Sequence, residues 1–251
     1  MWTKSKARLI EAYLRLFGMV TRHGTYIDGF AGPQRPEAET PEFAAKLVVE
    51  ITPAKLRHFH LFDVDATQVA ALRRLRADHP DKDIHIHPGD FNHQVDRVLK
   101  AEVIKPREAT FCLLDQRTFE CHWATVERLA GHPKQGYKIE LFYFLASWWF
   151  ERSCAGLRDE RVLARWWGRE DWPDVPRMRR VPRALALVQR FHKELGYTHV
   201  KHWPIFGEPA GFQTVMYYMI HASDHPEAPK LMERAYRQMV TKDSGQQLGL
   251  L

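Results

Sequence analysis

Four short apolar runs in this chain each lead into an aspartate. They cover 25–28, 58–63, 83–87 and 110–115, and the acids are Asp28, Asp63, Asp90 (just past the third run) and Asp115. A fifth apolar run lies at 139–144. Between the runs, apolar residues recur at helical spacing: Phe43, Leu47, Val48 and Ile51; then Val69, Leu72 and Leu75; then Val95, Val98 and Leu99; then 123–130. Strands alternating with helices build a parallel sheet covered on both faces. Right-handed crossovers bring the carboxyl ends of its strands to one edge, where such sheets bind ligands. No packing requirement ends four strands in aspartate, so the acids mark a ligand site. The first run continues into Gly29, Gly32 and Pro33, a turn whose glycines let backbone approach a ligand.

The remaining segments frame this core. A leading amphipathic helix is expected over 3–17, with Leu9, Ile10, Tyr13, Leu14 and Phe17 inward and Lys4, Lys6, Arg8 and Arg15 on its surface. Thr3 would cap it and Gly18 would end it. A helix start with proline in its first turn is expected at 40–42, and Asp65 would cap the helix after the second strand. Beyond the fifth strand, helices are expected at 158–168 and 183–195, separated by a linker at 171–176. Strands at 197–206 and 213–221 form a hairpin through 207–211, and a helix at 228–239 precedes a frayed tail from Asp243. The expected fold class is a single α/β domain over 1–251: a Rossmann-like, mostly parallel seven-stranded sheet with a C-terminal β-hairpin and a helical insertion or cap at 153–196.

Length and composition fit this frame. A chain of 251 residues with 45% apolar and 27% charged content can bury a full core. A net charge of +6 permits an anionic partner without requiring one. Cys112, Cys121 and Cys154 are widely spaced, which suits free thiols in a reducing compartment and excludes a CxxC zinc site. The first residues lack the apolar core of a signal peptide, and the longest apolar stretch, 139–150, contains Glu140 and is too short to span a bilayer. A cytoplasmic protein without membrane segments is expected.

The strand ends also narrow the ligand. Neither a P-loop nor a GxGxxG fingerprint occurs, and an acid before the first loop repels a pyrophosphate. A cationic ligand without phosphate suits it better, and S-adenosylmethionine is such a ligand. Asp28 would face its methionyl end, and the loop of Gly29, Phe30, Ala31 and Gly32 would carry it. Asp63 would accept from the ribose hydroxyls, Asp90 from the adenine amino group, and Phe91 would pack on the ring. Asp115 would stand where the methyl group emerges.

The stretch 26–33, reading Y-I-D-G-F-A-G-P, resembles the Y-I-D-x-F-A-G-P-G signature of the three-Cys-motif partner proteins. The likeness extends to a leading helix with a tryptophan and lysines, to Leu114 and Asp115, to Trp123, and to the late run from Tyr217 to Ala222 before His225 and Pro226. It implies a bacterial protein of the class I methyltransferase fold, S-adenosylmethionine as cofactor, and a three-Cys-motif protein as partner. Two departures stand out. The signature's closing glycine is Gln34, and the family's Asp-Pro-aromatic motif is Asp115, Gln116 and Arg117. In the catalytic reading Asp115 orients the nucleophile or takes its proton, Gln116 and Arg117 hold substrate, and Phe119 stacks on it.

Other features divide between structural and functional readings. Cys121 lacks the Pro-Cys context of a pyrimidine-attacking nucleophile and reads as a small buried thiol. His58 with His60, and His85 with His87, share strand faces at metal-ligand spacing, which keeps a metal-dependent hydrolase as a minor alternative, although no metal site is expected. Trp148, Trp149, Trp166, Trp167 and Trp172 pack the insertion onto the sheet, with Trp148 a candidate substrate contact. The basic run 177–183, with Arg179 and Arg180, is either a solvated helix start or a grip on a nucleic-acid backbone. Nucleic acid is the first substrate expectation. The principal alternative is a non-catalytic binding or scaffold subunit that works through its partner.

Overall fold

The computed structural model describes residues 2–33, 43–53, 55–100, 102–133, 135–207 and 213–248. Its elements run α1 (Trp2–Thr21), β1 (Gly24–Asp28), α2 (Ala44–Val49), β2 (Leu56–Asp63), α3 (Ala66–Asp78), β3 (Asp83–Pro88), α4 (Phe91–Val98), β4 (Thr110–Leu114), α5 (Trp123–Ala130) and β5 (Glu140–Ala146). Then follow α6 (Phe150–Ala155), α7 (Arg161–Trp167), a 3-10 helix (Trp172–Arg177), α8 (Arg180–Lys193), β6 (His199–Gly207), β7 (Thr214–Ser223) and α9 (Ala228–Leu248). The strands form one seven-stranded sheet in the order β3-β2-β1-β4-β5-β7-β6. The first five are mutually parallel, and β7 runs antiparallel between β5 and β6. The order of the strands reverses between β1 and β4, the point where a doubly wound sheet opens a crevice at its carboxyl edge.

Alternate residues of each strand feed two buried clusters, one per face. Tyr26, Phe59, Phe111 and Phe142 face α1, α2 and α9, whereas Ile27, Cys112, Leu141 and Tyr143 face α4, α5 and the insertion helices. Glu140 is buried at the start of β5 and ties α1 to β7. Its carboxylate accepts from the Tyr13 hydroxyl, from Ser223 Oγ at 2.7 Å and from His221 Nε2 at 3.0 Å.

Several boundaries differ from the expected ones for local reasons. Helix α1 passes through Gly18 to Thr21, because the missing side chain there makes room for Lys55, and the left-handed residue that follows is Arg22, at φ 62°. Lys6 is a larger departure. It is buried, not on the outer surface, because it shares the helical stripe of Leu9, Ile10 and Tyr13. The sheet strand β5 runs on to Ala146, α6 occupies 150–155, α8 begins at Arg180, and α9 continues to Leu248 past the expected tail. The expected helix start at 40–42 and most of the hairpin turn at 207–211 lie outside the described residues, as does Gln34.

Aromatic rings and one buried cation join the insertion to the sheet. Trp166, Trp167, Phe191 and Tyr197 pack in the same cluster as Trp123 and Tyr143. The Arg190 guanidinium lies 3.7 Å from the Trp123 ring centre and 4.7 Å from that of Trp167. It donates to the Trp167 carbonyl and forks onto the Glu194 carboxylate at 2.8–2.9 Å. Arg190→Ala should lower unfolding stability by about 3 kcal/mol in urea titrations, since packing and a buried cation pair are lost together. Glu194→Gln, at a half-exposed partner, should cost under ~1 kcal/mol.

Candidate functional site

The four strand-end acids all stand at the carboxyl edge of the sheet, each held by a different device. Asp28 closes β1 and is only 1% exposed. Its Oδ2 accepts from the Tyr26 hydroxyl at 2.8 Å and its Oδ1 from the Phe30 backbone N–H at 3.1 Å. Burial pushes its pKa from the ordinary 3.8 up to about 7, against those two bonds, and the Asp115 and Asp63 carboxylates push the same way. Asp63 closes β2 and clamps two loops. One oxygen accepts from the Gly32 N–H at 2.9 Å and the other from the Asp65 N–H at 2.9 Å. A Cβ on Gly32 would run into Asp63 Oδ2 and the Gln68 side chain, so this approach requires glycine. Asp65 caps α3, accepting from the backbone of Thr67 and Gln68.

Asp90 caps α4, with Oδ1 accepting from both the backbone N–H and the side-chain amide of Asn92 at 2.8 Å. Asn92 is buried, and its amide also donates to the Glu120 carbonyl at 2.7 Å and accepts from the His122 N–H and the Thr125 hydroxyl at 2.8 Å. All four hydrogen-bonding capacities of that amide are used, which locks the loop after β4 against α4. Asp115 lies one residue past β4. Its Oδ1 accepts from Lys6 Nζ at 2.7 Å, and the two side chains are 11% and 2% exposed. The Lys6 ammonium also lies 4.7 Å from the Tyr217 ring centre and 5.3 Å from that of Phe144.

Two adjoining cavities open along this edge. The first, about 280 Å³, is lined by Asp28, Phe30, Ala31, Gly32, Asp63, Asp65, Gln68, Asp115, Arg117 and Glu120, among others. Among the described residues, its lining holds five carboxylates and one arginine. The second, about 430 Å³, is lined by Gly29, Asp90, Phe91, Asn92 and Phe119, with Leu157 and Val162 from the insertion. Both are bounded by Phe30, Asp63, Val64 and Glu120, and Val64 is 71% exposed at the junction. The fold thus gathers Asp28, Gly29, Phe30, Ala31, Gly32, Asp63, Asp90, Phe91, Asp115, Arg117 and Phe119 into one elongated cleft.

Other residues named from the sequence stand elsewhere. Gln116 is buried beneath the edge, where Oε1 accepts from the Cys121 N–H at 3.0 Å and Nε2 donates to the Phe144 carbonyl at 3.4 Å. Trp148 is half-buried under the Arg180 guanidinium, 5.2 Å from its ring centre, and Arg179 is exposed at the start of α8. Neither they nor Arg180 line the two cavities. The basic run divides further: Arg183 is buried against the Phe150 ring at 3.5 Å and paired with Glu151, while Arg177 pairs with Asp174. Cys121 is wholly buried, and burial pushes its thiol far up, away from nucleophilic use. Lys6, Gln68, Val64, Asn92 and Glu120 are site residues that the sequence reading missed. Only Lys6 carried a signal, its place on an apolar helical stripe.

The histidines form a separate group on the outer strands. His60 stacks on His85 at 4.9 Å, its Nδ1 lies 3.2 Å from His87 Nε2, and His58 and His85 both meet the Asp83 carboxylate. Burial, then the neighbouring imidazoles, push His60 down to about 3, and burial lowers His87 to about 4. Among the described residues, no group of three or more His, Cys, Asp or Glu side chains is placed to hold a metal ion. A further cavity of about 250 Å³ lies at the opposite edge of the sheet beside Tyr13, Glu140 and Ser223. Among the described residues, no helix is long and apolar enough to cross a membrane.

No protein-family model matches the chain, and no curated protein matches its sequence. Solved structures do resemble it. Protein LPL1258 from Legionella pneumophila is 9% identical, with a TM-score of 0.55 over 94% of this chain and 91% of that one. M. jannaschii TYW2, solved in complex with AdoMet, is 10% identical, with a TM-score of 0.48 over 86% and 75%. An rRNA methylase from Streptococcus thermophilus is 6% identical, with a TM-score of 0.44 over 83% and 92%. At these identities the likeness is one of fold. The strand order, with an antiparallel seventh strand inserted beside the fifth, is that of the Rossmann-like class I methyltransferase fold.

The raised pKa of Asp28 has a measurable consequence. Unfolding releases its proton more readily than the native state does, so this group's contribution to stability falls as pH rises from about 4 to about 7 and is level above. Asp28→Asn cannot ionise, and its amide can keep both contacts, Oδ1 accepting from the Phe30 N–H and Nδ2 donating to the Tyr26 oxygen. At pH 8 it should be more stable than the parent by on the order of 2–4 kcal/mol in urea titrations, with the difference vanishing at pH 4.

Proposed function

We propose that this chain binds S-adenosylmethionine along the carboxyl edge of its sheet and transfers the methyl group. The observation that carries the reading is the paired cleft: a small acidic cavity and a larger, more apolar one that meet at Asp63. That sequence of surfaces fits a ligand with a cationic amino-acid end, a ribose and an adenine. Phe91, Phe119, Leu157 and Val162 provide flat apolar walls, with Asp90 at their rim. Five carboxylates around the first cavity favour positive charge and disfavour phosphate. Bound there, the cofactor supplies an electrophilic methyl on a sulfonium.

The chain's own groups then do three things. Asp63 holds the two loops that shape the cleft. Asp115 accepts a hydrogen bond or the proton from the attacking group, and Lys6, buried behind it, donates to its Oδ1 and fixes its position. Arg117, exposed at the mouth, steers an anionic part of the substrate. Gln116 has no free amide end in this geometry, so its part is to brace the loop. In isothermal titrations, S-adenosylhomocysteine and S-adenosylmethionine should bind, and Asp63→Ala should weaken both tenfold or more. Affinity for the cationic S-adenosylmethionine should tighten from pH 6 to pH 8 as Asp28 ionises, and this trend should flatten in Asp28→Asn. A folded protein that binds neither compound would refute the reading.

Nucleic acid is the substrate class proposed. Arg117, Arg152, Arg158, Arg165 and Arg179 are exposed on the loop after β4 and on the insertion, and Arg158 directly follows Leu157 at the second cavity. Exposed arginines of this kind can contact a phosphate backbone while a base enters the cleft. Reversing Arg158, Arg165 and Arg179 to Glu should weaken binding of a labelled RNA or DNA at least tenfold at 50 mM salt and reduce its salt dependence, as read by fluorescence anisotropy.

A second reading has its own support. With the Gln116 amide consumed inside the fold, the loop after β4 presents fewer polar groups than a nitrogen-methylating motif needs. In that reading the chain is a member of the three-Cys-motif partner family that binds the cofactor but acts as a scaffold for its three-Cys-motif protein.

A further inference from the structure

The cavity of about 250 Å³ at the amino edge of the sheet stands apart from the cleft and has a chemistry of its own. It lies where β4 and β5 begin and β7 ends, beside the last turns of α1 and the first of α9. Glu140 and Ser223 are in its wall, and Glu140 keeps 6% of its side chain exposed. The Glu140 carboxylate accepts from the hydroxyls of Tyr13 and Ser223 and from the His221 imidazole, and among the described residues no lysine or arginine pairs with it. Those three donors leave one of about four acceptor positions open, on the oxygen that takes only Ser223. Glu108 adds a second acid to the wall, nearly buried and 3.7 Å from His58 Nε2.

The remaining wall favours the same kind of guest. Phe17, Val20, Pro106 and Leu231 are apolar, and the exposed Tyr137 ring stands at the rim, edge-on to His225 with 4.7 Å between ring centres. Lys138 is engaged by the Gly196 carbonyl at 2.6 Å and by Asp224 at 3.6 Å, and Arg107 is exposed, its Nε donating to the Gln135 amide at 3.1 Å. An acid with an open acceptor position, deep in a pocket of aromatic and aliphatic groups, suits an ammonium on an apolar body.

We infer that this cavity is a second ligand site, for a small organic ammonium ion whose nitrogen donates to Glu140 while its apolar body lies against Phe17, Leu231 and Tyr137. The site is independent of the methyl-transfer reading, since it occupies the edge of the sheet away from the cleft. It still touches the same helix: the Tyr13 hydroxyl on Glu140 and the Lys6 ammonium on Asp115 both belong to α1.

Binding of 2-phenylethylamine and of its neutral counterpart 2-phenylethanol tests the inference. Isothermal titration at pH 7 should show the parent chain preferring the amine by tenfold or more. Glu140→Gln should cut amine affinity about tenfold while leaving the alcohol within about threefold. Because Glu140 is buried in a network, two variants at exposed wall positions keep the test open if that one fails to fold. Val20→Trp, at a residue 41% exposed, fills the mouth, and Tyr137→Ala, at one 51% exposed, removes the rim ring. Each should weaken the amine about fivefold or more. Equal affinity of the parent for amine and alcohol would overturn the inference, leaving a purely apolar pocket. So would amine binding within about twofold of the parent in both Val20→Trp and Tyr137→Ala, which would put the ammonium elsewhere, the acidic cleft included. Absence of saturable amine binding up to about 10 mM by folded parent protein would overturn it as well, and none of these results bears on the cofactor reading.

Discussion

Asp28 and Asp115 end neighbouring parallel strands and line one cavity, so two carboxylates face a common space. Like charges this close resist ionising together. The structure settles them in different ways. Lys6 reaches across from α1 to give Asp115 a buried counter-charge, whereas Asp28 receives only a phenol and a backbone N–H. Burial above all raises the pKa of Asp28 to about 7, and the Asp115 carboxylate adds a smaller push in the same direction. Much of the first helix is arranged around this difference. The aromatic rings of Phe144 and Tyr217 flank the ammonium, and Tyr13, two turns on, anchors the same helix to Glu140. The cavity is thereby prepared for positive charge without having to bear its full negative charge when empty of it.

The same economy of charge shapes the insertion. Its arginines divide into those that are buried as staples and those left to solvent. Arg190 lies between two indoles and Arg183 over Phe150, each with a carboxylate partner. Arg190 holds the insertion onto α5 through Trp123, and Arg183 ties α8 to α6. Arg152, Arg158, Arg165 and Arg179 remain outward, on the insertion that also supplies Leu157 and Val162 to the cleft. A basic run that looks uniform in the sequence is thus part mortar and part surface.

Much of this was legible in the chain. An apolar run ending in aspartate identifies a buried strand and its end, because a carboxylate inside the run would lack the loop donors that a strand end offers. Asp65 was legible as a cap because its spacing to the apolar stripe of α3 permits little else. Other features were not. Gly18 has the composition of a helix stop, yet it serves as a contact point for Lys55. Asn92 looks like any polar residue at a helix start, and only the approach of the loop after β4 turns it into a four-way brace. Glu120 lies in a segment with no periodic or motif signal, and Gln68 is a polar residue of α3 that the pattern of Val69, Leu72 and Leu75 does not single out.

What the sequence determined by itself was local: which stretches are strands, which helical stripes are apolar, and that acids recur at strand ends. Those follow from period, propensity and the cost of burying charge, which act over a few residues. The tertiary structure decided what those acids face. The pairing of β1 with both β2 and β4 brings Asp28, Asp63 and Asp115 into one cavity from positions far apart in the chain. It decided that Lys6 is a partner and not a surface charge, and that Gln116 is a brace. Burial and long-range contact set those roles, and neither is a property of any stretch of sequence read alone.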